Sequence, residues 1–357
     1  MPSYQEIFKT AVLLAGVFFL GCQYPGTSHV APYQLLGRYQ EVGPSEYKMN
    51  WPASGFRISF VGRELHATFV DNGKGIMDVV VNGEERSPIF LNPGKHNYKI
   101  ISQTIPEEMK VTVTRRTEVY DTGDFTVSNI SHDGRALKLK PSLRKMIFLG
   151  DSISAGFGVR GNTKECENSA DKNAPLQAYA ALTAKALEAD YHLIAISGRG
   201  VIYNWDDNPS PVMPKQLDFT LADNRAGPKW DHDKFKADII VVALGTNDWS
   251  VINPGKNAFR SGYLNMLQAL RARHESAHIV SINGPLLDGE KKRSVQDGID
   301  FAVKEMKDGN ISVLELGLAP DGLIWSCNSH PGRDSMTFMA NQLTEHLYQK
   351  YINRKRL

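Results

Sequence analysis

Two dissimilar halves are predicted: an all-β sandwich of jelly-roll type over residues 34–140, then a three-layer α/β/α domain with a parallel sheet over residues 141–357. Three observations carry this. The first half alternates apolar and polar residues in short runs with turn residues every ~8–12 positions, as sandwiches and jelly rolls do. The second half sets continuous apolar runs, such as Met146–Leu149 and Ile239–Leu244, between stretches of helical spacing, the pattern of a parallel sheet covered on both faces. A length of 357 residues also favours about two domains.

The elements follow in order. Ala11–Gly21 is an apolar run with one lysine, Lys9, before it. It falls short of the ~20 residues that span a bilayer and suits the h-region of a secretory leader. Its end, Phe19-Leu20-Gly21-Cys22, resembles a bacterial lipobox. Residues 1–22 are therefore expected to be a lipoprotein-type signal, with Cys22 lipidated after cleavage, and residues 23–33 a tether. Strands are expected at Phe56–Val61, Leu65–Val70, Met77–Val81, Asn97–Ile101, Lys110–Arg115 and Phe125–Val127. Asn82-Gly83 after the third is the commonest hairpin dipeptide.

From residue 141 the strands Lys145–Gly150, His192–Ile196, Ala237–Leu244, His278–Ile282 and Ser312–Leu316 alternate with helical stretches. These are Ala174–Glu188, Phe259–Glu275, Val295–Met306 and Thr337–Tyr351. Pro175 suits the first turn of its helix.

Composition excludes some functions. With 41% hydrophobic and 22% charged residues and a net charge of +2, the chain is an ordinary globular protein with no electrostatic case for nucleic acid or an anionic membrane. Contact with a membrane is expected only through the lipid anchor. His66, His96 and His132 are expected to be surface or strand residues, with no metal-ligand spacing around them. No cofactor is expected, and a monomer is.

Three stretches carry chemistry. Phe148-Leu149-Gly150-Asp151-Ser152 ends a buried strand in a serine on a tight turn, the edge of the sheet where open α/β folds place their sites. Leu244-Gly245-Thr246-Asn247-Asp248 ends another, and Cys327-Asn328-Ser329-His330-Pro331 precedes the last helix. With Ser197-Gly198-Arg199-Gly200 between them, these blocks resemble, in family order, the SGNH (GDSL-like) hydrolases. Preceded by a β-sandwich, with Met213-Pro214 and Trp230 in the intervening pattern, the chain is similar to carbohydrate esterase family two, secreted enzymes that deacetylate plant polysaccharides.

The resemblance implies Ser152 as nucleophile and His330 as general base. The oxyanion donors would be the N–H of Ser152, the N–H of Gly198 (or Gly200) and the side-chain amide of Asn247. Many relatives have an aspartate shortly before the histidine. Here Asn328 stands there, so a Ser-His dyad is expected, with Nδ1 of the histidine served by the Asn328 side-chain oxygen or by a backbone carbonyl. Trp249 and Trp325 are expected to contact sugar, with Tyr203 and Trp205 as further aromatic candidates. Of the three cysteines, Cys22 is assigned to lipid. Cys166 and Cys327 lie in loops that leave the same edge of the sheet and are expected to form a disulfide in an oxidising compartment.

The expected function is an extracytoplasmic O-acetyl esterase acting on acetylated xylan or glucomannan, anchored at the cell envelope or in the periplasm. A lipid or thioester hydrolase and a sugar-binding lipoprotein remain the alternatives.

Overall fold

The computed structural model describes residues 33–206, 210–251 and 253–353. The expected leader, the expected tether up to residue 32 and Cys22 lie outside the described residues.

The β half starts with three short strands, β1 (Gln34–Leu36), β2 (Gln40–Gly43) and β3 (Glu46–Met49). Two very long ones follow, β4 (Gly55–Asn72) and β6 (Pro93–Arg115), with β5 (Ile76–Val81) between them in sequence. A helical turn, α1 (Val119–Thr122), leads into β7 (Phe125–His132). The sheet runs β2-β3-β7-β4-β6-β5.

Here the expectation needs correcting. Phe56–Val61 and Leu65–Val70 are one strand, as are Asn97–Ile101 and Lys110–Arg115. The intervening residues bulge instead of turning. The β4–β6 register shifts between Gly62 and Glu64 and again between Leu65 and His66, and bulges bend a strand without ending it. On its other edge β4 pairs with β1 at Gly55–Arg57 and with β7 from Leu65 to Val70. The sheet thus doubles over and encloses a core of Phe56, Phe60, Phe69, Val111, Val113 and Val127.

In the second half a five-stranded parallel sheet has the order β9-β8-β10-β11-β12. Its strands are β8 (Arg144–Gly150), β9 (Ala189–Ala195), β10 (Ile239–Ala243), β11 (His278–Asn283) and β12 (Ile311–Glu315). Its helices include α2 (Ser152–Ala155), α3 (Tyr179–Ala186), α4 (Thr246–Ser250), α5 (Lys256–Arg273), α6 (Gly289–Met306) and α7 (Arg333–Leu347). The strand residues are apolar on both faces because α5 and α6 pack on one side and α3 and α7 on the other. Helix α3 starts later than expected. Pro175 belongs to a separate 3-10 turn, and Ala178 behind it is extended at ψ 153°.

The halves are joined by more than their linker. Trp51, fully buried, belongs to the apolar cluster of Ile147, Ile194, Met213 and Val242, and its indole N–H donates to the Thr220 carbonyl at 2.9 Å. Arg38 donates to the Phe219 carbonyl at 2.7 Å. Asn50 makes a reciprocal pair with Ala222, receiving its N–H at 2.7 Å and donating to its carbonyl at 3.1 Å.

Candidate active site

Strand β8 runs into Asp151, which is extended, caps α2 and accepts the Ile153 N–H at 3.1 Å. Ser152 becomes the first residue of the helical turn, a position whose own N–H has no partner inside the helix. The residue is only 8% exposed.

His330 arrives on a hairpin in the segment that follows β12. Trp325–Ser326 pairs antiparallel with His330–Pro331, and the tip between them places Asn328 and Ser329 in the left-handed region at φ 51° and 55°. The imidazole Nε2 lies 2.8 Å from the Ser152 hydroxyl, and Nδ1 lies 3.0 Å from the Asn328 carbonyl. A carbonyl only accepts, so Nδ1 carries the proton and Nε2 offers its lone pair to the serine. Burial lowers the imidazole below its ordinary value, while the carbonyls of Asn328 and Cys327 pull it upward. The Phe157 ring covers the imidazole, with centroids 4.5 Å apart.

Of the two partners expected for Nδ1, the structure selects the main chain. The Asn328 side chain is engaged elsewhere, its Oδ1 accepting the Asn168 N–H at 2.8 Å. Cys166 and Cys327 are disulfide-bonded with Cα atoms 4.5 Å apart. Asn328 and Ser329 donate their N–H groups to the carbonyls of Cys166 and Lys164 at 2.8 and 2.9 Å. The histidine hairpin is therefore stitched along its tip to the segment that follows Ser152.

The glycine block leaves β9. Gly198 has φ +76°, a conformation that glycine adopts without steric cost. Its carbonyl accepts the Trp205 N–H at 2.8 Å. Behind it, Asp248 is fully buried and accepts the N–H groups of Val201, Ile202 and Tyr203 at 2.9, 2.7 and 3.0 Å. Successive N–H groups converging on one carboxylate form an anion nest, and burial still pushes that carboxyl up to about 6. The loop is thus wrapped on the residue next to Asn247. Gly200 must be glycine, because a Cβ there would sit 2.0 Å from the Tyr203 carbonyl.

Asn247, in the first turn of α4, lies across the floor of the site. Its amide nitrogen is 2.9 Å from the Arg199 carbonyl and 3.2 Å from Asp151 Oδ2. Burial pushes the Asp151 carboxyl up to about 7. The longer contact is the weaker of the two.

The two tryptophans expected at sugar divide. Trp325 is half-buried on the histidine hairpin. Trp249 is not a platform: it is 6% exposed and packs edge-on against Phe259 with centroids 5.8 Å apart. Helix α4 turns it into the apolar layer beneath α5 and α6. Tyr203 at 43% and Trp205 at 53% are exposed instead, on the loop that returns to Gly198. Sequence reasoning missed Asp248 and Glu118, whose partners lie 45–79 residues away. The only local sign for Glu118 is that strand alternation lapses around it.

A hydroxyl held against a neutral imidazole is equipped for nucleophilic acyl transfer.

Residues 148–316 match the GDSL-like Lipase/Acylhydrolase family, and residues 35–140 match the Carbohydrate esterase 2 N-terminal domain. An "Acetylxylan esterase / glucomannan deacetylase" of Cellvibrio japonicus is 27% identical over 320 residues, covering 88% of this chain and 88% of that protein. The "Cellulase/esterase CelE" of Acetivibrio thermocellus is 28% identical over 88% of this chain and 39% of its own length. A solved family two carbohydrate esterase from Clostridium thermocellum in complex with cellohexaose superposes with a TM-score of 0.83 at 26% identity, covering 89% of this chain and 98% of that one.

Proposed function

Because the chain belongs to the GDSL-like hydrolases and carries the N-terminal domain of carbohydrate esterase family two, we propose that it removes O-acetyl groups from xylan or glucomannan through a Ser152–His330 dyad. The observation that carries this reading is the 2.8 Å contact between Nε2 and the serine hydroxyl, with Nδ1 committed to a carbonyl.

In the first step Nε2 takes the hydroxyl proton as Ser152 Oγ attacks the acetyl carbonyl. The Asn328 carbonyl keeps Nδ1–H in place and accepts more strongly as the ring becomes charged. The tetrahedral oxyanion takes donors from the N–H of Ser152, the N–H of Gly198 and the Asn247 amide, which releases its weaker contact to Asp151 to serve it. Collapse returns the proton from Nε2 to the departing sugar oxygen and leaves acetyl-Ser152. Water, deprotonated by the same imidazole, then attacks the acetyl carbonyl, and as the bond to Oγ breaks Nε2 returns that proton to Ser152 and acetic acid leaves as acetate. Trp205 and Tyr203 give a sugar ring an exposed aromatic face beside Gly198.

Export and anchoring through Cys22 belong to the same proposal. The Cys166–Cys327 disulfide supports it, since such bonds persist in oxidising compartments.

The test is acetate release from acetylated glucomannan and xylan, with nitrophenyl acetate compared against long-chain nitrophenyl esters, for the wild type and Ser152→Ala. Ser152-dependent release from the polysaccharides is expected. A preference for long chains would replace the proposal with a lipid hydrolase. Release that survives Ser152→Ala would refute the mechanism.

A further inference from the structure

Between β6 and β7 the chain makes the turn α1, and that turn is rigidly built. Arg115, 1% exposed, donates to the carbonyls of Thr117, Glu118 and Gly123 at 2.7, 2.7 and 2.5 Å. Asp121 accepts the Glu118 N–H at 3.2 Å.

The Glu118 side chain leaves the β half altogether. It is 3% exposed, and its two oxygens accept the N–H of Ser197 at 2.8 Å and the hydroxyl of Ser197 at 2.5 Å. Ser197 is the residue before Gly198. The same turn reaches the opposite wall of the site, where Asp121 accepts from the Asn173 side chain at 3.0 Å. Asn173 in turn accepts the Gly158 N–H at 3.2 Å and the Asn168 amide at 2.9 Å, both in the segment that follows Ser152.

The geometry points to Glu118 as a positioning residue for ester hydrolysis, gripping Ser197 from the other half of the molecule so that the Gly198 N–H is aimed before substrate arrives. This rests on the reading of Ser152, Gly198 and Asn247 as the reaction centre. The Gly198 N–H lies in the peptide plane that joins it to Ser197. With the N–H and hydroxyl of Ser197 both held, a single torsion, the ψ of Ser197, is left to set that plane. An oxyanion donor must fall within ~2.7–3.1 Å of where charge develops, so a loosely held plane loses catalysis before it loses binding.

The chemistry favours a carboxylate over its amide. Glutamate presents an acceptor to each of two Ser197 donors, whereas glutamine keeps one acceptor and must turn a donor toward the hydroxyl. Burial opposes the arrangement and pushes the carboxyl up to about 7 in spite of both bonds. The contact is therefore costly to the fold.

The experiment uses the full chain and nitrophenyl acetate, with kcat, KM and melting temperature measured for the wild type, Ser152→Ala, Glu118→Ala, Glu118→Gln and Ser197→Ala. Displacing one oxyanion donor typically costs up to ~100-fold, so Glu118→Ala is expected to lower kcat by about 10- to 100-fold with KM within about threefold. Glu118→Gln, which keeps the acceptor for the Ser197 N–H, is expected to recover part of that loss, and Ser197→Ala, which removes one of the two holds, to lower kcat by about three- to tenfold. A Glu118→Ala kcat within about threefold of wild type overturns the proposal. So does a loss shared equally by kcat and KM that glutamine does not restore, which would make Glu118 only a joint between the halves. If Glu118→Ala fails to fold, Ser197→Ala decides: lowered kcat with unchanged melting supports the proposal, and unchanged kcat overturns it. A wild type no faster than Ser152→Ala would refute the reading of the centre, and this inference with it; an active wild type matched by Glu118→Ala refutes the inference alone.

Discussion

Replacing Asn328 by glycine separates its main chain from its side chain. Glycine keeps the carbonyl that receives Nδ1–H of His330 and adopts φ 51° without strain. What it removes is the side-chain bond to the Asn168 N–H, worth about 0.5–1.5 kcal/mol net. The hairpin remains tied by the disulfide and by the bonds from Asn328 and Ser329 to the carbonyls of Cys166 and Lys164. The expected loss in kcat is therefore less than about tenfold, since 1.4 kcal/mol is one factor of ten. Asn328→Ala adds a left-handed alanine, about 1–2 kcal/mol more, felt chiefly as a lower melting temperature. If the Asn328 side chain were a third catalytic member, its removal would cost about four orders of magnitude, as removing the carboxylate of a hydrolytic triad does. Nitrophenyl acetate kinetics with melting curves distinguish a factor of ten from a factor of about ten thousand. A folded Asn328→Gly protein as inactive as His330→Ala would refute the main-chain assignment.

Four further outcomes are expected. Ser152→Ala and His330→Ala should each abolish nearly all turnover, and the double variant should be little worse than either, because the pair acts as one unit; additive losses in acetate release would contradict this. Activity should fall at acid pH with a midpoint below 6.5, since the neutral imidazole is the base and burial lowers its pKa; a pH profile of kcat/KM with its acid limb above 7 would count against His330. Reducing Cys166–Cys327, a bond across 161 residues worth about 5 kcal/mol on chain-entropy grounds, should depress activity before the β half unfolds; thiol titration alongside activity and circular dichroism checks the order. Trp205→Ala should raise KM for an acetylated oligosaccharide several-fold and leave nitrophenyl acetate nearly unchanged, and equal effects on both substrates would remove its role as a sugar platform.

Much of this architecture was legible because apolar periodicity is local. Each expected strand of the parallel sheet appears within a few residues of its expected place, since β8, β10 and β11 are buried on both faces and their runs are unbroken. The long β strands were cut short in the reading because Gly62 and the polar stretch at residues 102–108 look like turns, and only pairing with a neighbouring strand decides between a turn and a bulge. Trp249 was assigned to substrate by its proximity to Asn247 in sequence, but successive residues of a helical turn face different ways. Glu118 and Asp248 stayed hidden because an acidic side chain carries no mark of which distant N–H it will receive.

Trp51 has a consequence for how such a protein can be taken apart. It is coded in the β half yet fills a socket among Ile147, Ile194, Met213 and Val242. A cut near residue 140 would leave an apolar hole in one fragment and a large bare indole on the other, both open to water. The segment ending at Leu357 is thus no portable cassette, although every residue of the proposed acyl-transfer reaction lies within it. Any graft, library crossover or truncation that keeps the catalytic residues must carry the upstream sandwich along, or supply another side chain of that bulk at the seam.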